Sequence, residues 1–166
     1  MIAIERISPQ IALVYKDVRL RALLDSPTAF SGTYAKESQF PDDEWMKRSV
    51  RWSSDGFAAY LAFDGERACG MVFTFAEEQD PHRAQILSMW VDPEVRRAGV
   101  GRMLIDAALA WAESRHVRDV KLMVTSVNDA AIAFYERLGF RRTGKTAVYP
   151  NDASITEYEM VRAIVP

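Results

Sequence analysis

The sequence is poor in several things, and each shortage removes a class of protein. Its 166 residues hold one cysteine, Cys69, so an internal disulfide and a cysteine-based zinc site are excluded, and a cytoplasmic setting fits. The two histidines, His82 and His116, sit near turns in no metal-ligand spacing, so no metal is expected. No apolar run approaches the ~20 residues needed to cross a membrane, so no membrane partner is expected either. The opening MIAIERISPQ reads as too short and too polar for a signal peptide. The formal net charge is −2, which gives no general attraction to nucleic acid. Repeats, linkers and low-complexity segments are lacking as well. What remains is a chain long enough for one domain, 1–166, with a sizeable core.

The most informative stretch is Leu87 to Leu104, LSMWVDPEVRRAGVGRML. An apolar run from Ala84 to Val91 ends at Asp92-Pro93 and is followed by a basic, glycine-containing turn. Beyond it Val100, Leu104, Ala107 or Ala108 and Trp111 recur at helical spacing, so the stretch reads as strand, loop and helix. Gly99 and Gly101 fall at the helix start, where backbone N–H groups have no partner inside the helix. Residues without Cβ let a ligand approach that backbone. The positive end of the helix dipole, with Arg96, Arg97 and Arg102, favours a bound anion, most simply a phosphate.

The remainder reads in order. Ala3–Ile7 suits a short strand, and Ser8-Pro9 a helix start, with Ile11, Val14, Val18 and Ala22 on the buried face. Residues 27–40 suit a loop with helical turns, and Pro41 opens a second helix. Two strands, Phe57–Phe63 and Ala68–Phe75, flank the hairpin signal Asp64-Gly65. Val120–Thr125 is a buried strand, and Asn128–Leu138 a helix with Ala131, Phe134 and Leu138 on one face. Two strands close the chain, about 142–149 and 154–161. Consecutive early strands imply antiparallel pairing, whereas the strand–helix–strand unit from Ala84 to Thr125 implies a parallel pair with a right-handed crossover. The fold class is therefore α/β: a single domain with one mixed sheet and helices on both faces.

Arg96-Arg97-Ala98-Gly99-Val100-Gly101 fits [Q/R]-x-x-G-x-[G/A], and NDAAIAFYERLGF from Asn128 to Phe140 fits N-x-x-A-x-x-x-Y-x-x-x-G-F. With both motifs in this order and context, the chain resembles the GNAT superfamily of acyl-CoA-dependent N-acetyltransferases. The resemblance implies acetyl-CoA as co-substrate and a central parallel strand pair that splays to admit its pantetheine arm. It implies a pyrophosphate cradle from Arg96, Arg97, Ala98, Gly99, Val100, Gly101 and Arg102. The backbones of Met89 and Val91 would pair with the arm, Asn128 would bond it from the far side, and Ala131 belongs to the same motif. Tyr135 would protonate the departing thiolate. Ala98 stands where many relatives carry Gly or Lys, at a position that contributes backbone.

The chemistry sets the remaining requirements. A lysine-type amine is mostly charged at neutral pH and must lose a proton before attacking the thioester carbonyl. The oxyanion wants a donor, such as a strand N–H, and the leaving thiolate wants a proton. Either Glu37 or Asp92 could draw off the amine proton through water, with Glu37 preferred. Plainer roles stand beside these: Asn128 as a helix cap, Tyr135 as a core aromatic, some arginines as solvated charges. The leading expectation is an N-acetyltransferase acting on a primary amine by direct attack in a ternary complex. The alternative is a non-catalytic acyl-CoA-binding regulatory module. The acceptor stays open between small-molecule and peptide amines, and a homodimer is among the expectations because dimers are common in the superfamily.

Overall fold

The computed structural model describes residues 1–164. The strands are β1 (Ile2–Arg6), β2 (Phe57–Asp64), β3 (Arg67–Ala76), β4 (Arg83–Val91), β5 (Asp119–Thr125), β6 (Arg141–Val148) and β7 (Thr156–Ala163). The helices are α1 (Ala12–Asp25), the single turn α2 (Tyr34–Glu37), α3 (Asp42–Trp52), α4 (Val100–Ser114) and α5 (Asp129–Arg137). All seven strands form one sheet in the order β1-β2-β3-β4-β5-β7-β6. Every neighbouring pair is antiparallel except β4 and β5, which run parallel with α4 as the crossover between them. This is the mixed α/β sheet that the sequence implies.

Each face of the sheet carries its own core. On one face α4 and α5 bury Leu104, Ile105, Ala108 and Tyr135 against Ile86, Val120, Leu122 and Val124. On the other, α1 and α3 bury Tyr15, Val18 and Trp45 against Leu61, Met71 and Phe73. Full burial of a side chain such as Leu104 stabilises by about 1.5–3 kcal/mol.

Three local expectations shift. The first turn after Ser8 is a 3-10 turn, Pro9–Ile11, and the α-helix begins only at Ala12. Such tight turns often lead into helices. The buried face of α1 is consequently Ala12, Tyr15, Val18, Arg19, Ala22 and Leu23, with Ile11 and Val14 at its edge. Tyr15 takes the central place because its ring meets Trp45 and Phe73 edge-on, at centroid distances of 5.2 and 5.3 Å. In the hairpin, strand pairing extends to Asp64 opposite Arg67, so the two turn residues are Gly65 and Glu66. Gly65, with φ of 62°, holds the first turn position, which a type II′ hairpin turn reserves for glycine.

Candidate active site

The site begins where β4 and β5 part. Their parallel pairing covers Arg83–Gln85 against Asp119–Lys121, and Gln85–Lys121 is its last pair. Beyond that, β4 bulges: its register against β3 slips between Met71 and Phe73, and Ser88 adopts a left-handed φ of 53°. The Asp92 N–H donates to the Cys69 carbonyl at 2.8 Å, so Asp92 and, by alternation, Trp90 turn their backbone groups toward β3. Met89 and Val91 therefore present theirs to the open side. The Val91 carbonyl does so visibly, accepting from Arg96 Nε at 2.8 Å.

The loop into α4 is shaped by two left-handed residues, Arg97 (φ 69°) and Gly99 (φ 84°). Alternating backbone handedness of this kind turns successive N–H groups inward to form an anion-binding concavity. The first α4 bond runs from Met103 N–H to the Gly99 carbonyl at 3.1 Å, which leaves the amides of Val100, Gly101 and Arg102 without helical acceptors. Val100 is buried in the core and anchors the loop. A Cβ at Gly101 would lie 3.1 Å from Phe134 Cζ and 3.2 Å from Met89 Cε, so glycine is what lets the helix start pack against both walls.

Met89, Val91, Arg96, Arg97, Gly99, Gly101, Arg102, Asn128, Ala131 and Tyr135 all border one cleft of about 710 Å³. Of the loop residues 96–102, Ala98 and Val100 are not on its wall. Asn128 caps α5, its Oδ1 accepting from Ala131 N–H at 3.1 Å, so its amide nitrogen remains for a ligand. Arg96 is tied within the protein, Nη2 reaching Asp25 Oδ2 at 2.5 Å while Nε holds Val91. Asp25 also accepts from Trp90 Nε1 at 2.9 Å, so it braces the loop against β4. That brace joins residues 65 and 71 positions apart, and no local signal announces it.

Tyr135 is buried, edge-on to Phe134 and Phe140 at 5.3 and 5.7 Å. Burial alone pushes its phenol well above the ordinary value, so the hydroxyl keeps its proton throughout the physiological range. Phe134, on one helix face with Ala131 and Leu138, packs against the core edge and lies half-buried on the cleft wall beside Gly101.

Glu37 lies elsewhere. It is 3% exposed, and Arg19 Nε and Nη2 donate to its two oxygens at 3.1 and 3.0 Å, with Arg48 Nη1 at 3.5 Å. Arg19 Nη1 also donates to Ser88 Oγ at 2.9 Å, so the pair supports the β4 bulge. Asp92 is committed in the same manner, to Arg21 and Arg67, each at 2.8 Å, and to the Glu94 N–H at 3.0 Å. A carboxylate in such a clamp would have to leave its partners to reach an incoming amine.

The cradle carries a direct expectation. Gly101→Glu puts a side chain and a negative charge between Phe134, Met89 and the open amides. Calorimetry should show coenzyme A binding at least ~10-fold weaker, about 1.4 kcal/mol, with the fold retained. Unchanged affinity in the folded variant would remove the anion cradle from α4.

The chain matches the family described as the Acetyltransferase (GNAT) family over residues 21–140. It is 35% identical over 116 residues to a mycothiol acetyltransferase of Actinosynnema mirum, a match that takes in 69% of this chain and 38% of that enzyme. The chain thus spans well under half the length of that relative. Among solved structures, a GNAT-family acetyltransferase of Streptococcus pneumoniae superposes with a TM-score of 0.81 at 22% identity, covering 99% of this chain and 100% of the other. The PaiA N-acetyltransferase of Thermoplasma acidophilum, solved in complex with coenzyme A, superposes with a TM-score of 0.77 at 17% identity, with 99% of each chain covered. Two thirds and more of the residues, including the whole of the splayed strand pair's first arm, the glycine loop and α5, fall within the matched span, and the chain belongs to the acetyltransferase (GNAT) family.

Proposed function

We propose that the protein transfers the acetyl group of acetyl-CoA to a primary amine by direct attack within a ternary complex. The observation that carries this reading is the convergence on one cleft of unpaired α4 amides, outward-facing β4 backbone and the proton-bearing Tyr135 hydroxyl. The α4 amides would hold the pyrophosphate, and Arg97 and Arg102 would add charge at its rim. The backbones of Met89 and Val91 would hold the pantetheine arm as an added strand, with Asn128 opposite. A β4 N–H would steady the developing oxyanion, and Tyr135 would deliver a proton to the leaving sulfur. Arg96 and Glu37 take positioning roles in this scheme, the first bracing the loop and the second holding Arg19 on Ser88. The amine proton would then leave through solvent or through a carboxylate other than Glu37 and Asp92.

The test is thiol release from acetyl-CoA across a panel of polyamines, lysine derivatives, free-N-terminal peptides and small amines, with mass spectrometry of the product. A product 42 Da heavier than its amine supports the reading, as an acetyl group replaces one hydrogen. Tight coenzyme A binding without thiol release from any amine would overturn it in favour of an acyl-CoA-binding module.

A further inference from the structure

The face of the sheet that carries α1 and α3 is only half covered. Those helices pack over β2 and β3. Farther along the same face Leu87 of β4 and Met123 of β5 are exposed. The turn Pro27–Ala29 crosses β5 there, and the β6–β7 connection is tied to it. Tyr149 Oη donates to the carbonyls of Pro27 and Phe30 at 3.0 and 2.5 Å, and Asn151 Nδ2 donates to that of Ser31 at 2.9 Å. Beside this tie, the face of β5 and β7 forms a floor that adjoins the split between β4 and β5.

Two polar side chains on that floor lack partners. Thr125 is 4% exposed, and its buried hydroxyl makes no hydrogen bond among the described residues. Val124 belongs to the core under α4 and α5, so its neighbour Thr125 points to the opposite face of β5, the face of Met123. Directly opposite Thr125 on β7 is Glu157. The Ser126 N–H donates to the Thr156 carbonyl at 2.7 Å, which makes Thr125–Glu157 a pair of the closer, non-hydrogen-bonded kind. Glu157 is half-buried, takes part in no ion pair among the described residues, and has its carboxyl pushed up by burial alone. Two cations of this side of the molecule are committed elsewhere, Lys121 to Glu77 at 2.9 Å and Arg19 to Glu37 and Ser88, while Lys145 on β6 is exposed and forms no ion pair among the described residues. Glu159, on the same face, accepts from Thr143 Oγ1 at 3.0 Å and adds to the negative charge.

The position matters as much as the charge. Four residues past the last β4–β5 pair, about 13 Å along each strand, stand Met89 and Thr125. Glu157 therefore sits one strand beyond the split, near the height of Met89.

We propose that Glu157 is the seat of the acceptor's ammonium group, with the Thr125 hydroxyl as a second ligand, and that the acceptor is accordingly a cationic amine. The proposal rests on the acetyl-transfer reading. A carboxylate that is half out of water gains a partner when an ammonium binds, and a neutral amide in its place gains far less.

Initial rates with the best ammonium acceptor from the amine panel decide the matter. Glu157→Gln should raise the acceptor KM at least about tenfold, with kcat at saturating amine changed much less and coenzyme A affinity unchanged. Glu157→Asp should recover part of the loss, and Thr125→Val should raise KM more modestly. A loss of packing would lower kcat and coenzyme A affinity together, and that outcome overturns the proposal. An unchanged KM in Glu157→Gln, with the wild type active, overturns the ammonium seat while leaving acetyl transfer standing. A wild type that releases no thiol with any amine overturns both.

Discussion

Replacing Tyr135 by Phe should lower kcat by about a hundredfold or somewhat less, with acetyl-CoA affinity nearly unchanged. General acid catalysis is typically worth ~10²–10⁴-fold. A thiolate already leaves well, which sets the expectation at the low end. The hydroxyl matters most as charge develops on sulfur, so its loss belongs in kcat and not in ground-state binding. The surroundings make this a clean deletion. The ring that packs edge-on to Phe134 and Phe140 is kept, and burial is the sole influence on the phenol, with no charged partner to be orphaned. Tyr135→Ala is the wrong experiment, because removing a buried aromatic costs about 3–5 kcal/mol of stability. Single-turnover rates of acetyl transfer provide the measurement. Wild-type turnover by Tyr135→Phe, where chemistry limits, would make Tyr135 a packing residue of α5.

The largest stability effect is expected at Glu37. Glu37→Ala leaves Arg19 as a buried guanidinium without its counter-charge, while Arg48 keeps Glu44. Breaking a buried pair from one side costs about 3–5 kcal/mol. At roughly 2–4 °C per kcal/mol for a domain of this size, the melting temperature should fall by about 10 °C. Gly32 offers a second route to the same loss. A Cβ there would stand 1.9 Å from Glu37 Oε2 and 2.9 Å from Arg19 Nη2, so Gly32→Ala must displace the pair. Thermal melts of Glu37→Ala, Glu37→Gln and Gly32→Ala, beside their rates, separate the two roles. Destabilisation with the residual folded enzyme still active identifies an ion pair that supports the Ser88 bulge. Unchanged melting with a rate that falls mainly at lower pH in Glu37→Gln would restore Glu37 as the base.

What the sequence determines by itself is whatever a short stretch of backbone can enforce. The strand–loop–helix from Ala84 to Ser114 is legible because apolar spacing changes at Asp92-Pro93 and glycines stand at the helix start. Asn128 is legible as a cap because its oxygen reaches an amide three residues on. The order of strands implies the mixed sheet, since only a crossover helix can join a parallel pair. Tertiary structure decides the rest, because it concerns partners that chain distance does not announce. For Glu37, sequence spacing gives no sign that Arg19, 18 residues earlier, holds both its oxygens. Arg96 reads as a free charge beside the phosphate loop, and its pairing with Asp25, 71 residues away, appears only in the folded chain. Phe134 and Tyr135 both fit a core face by spacing, yet the close approach of Gly101 brings Phe134 to the cleft wall. Thr125 and Glu157 stand 32 positions apart in the chain and meet only through strand register. A charge spaced on a helix or strand has a local address, but whether it is neutralised, buried or left unpaired depends on which distant element folds against it.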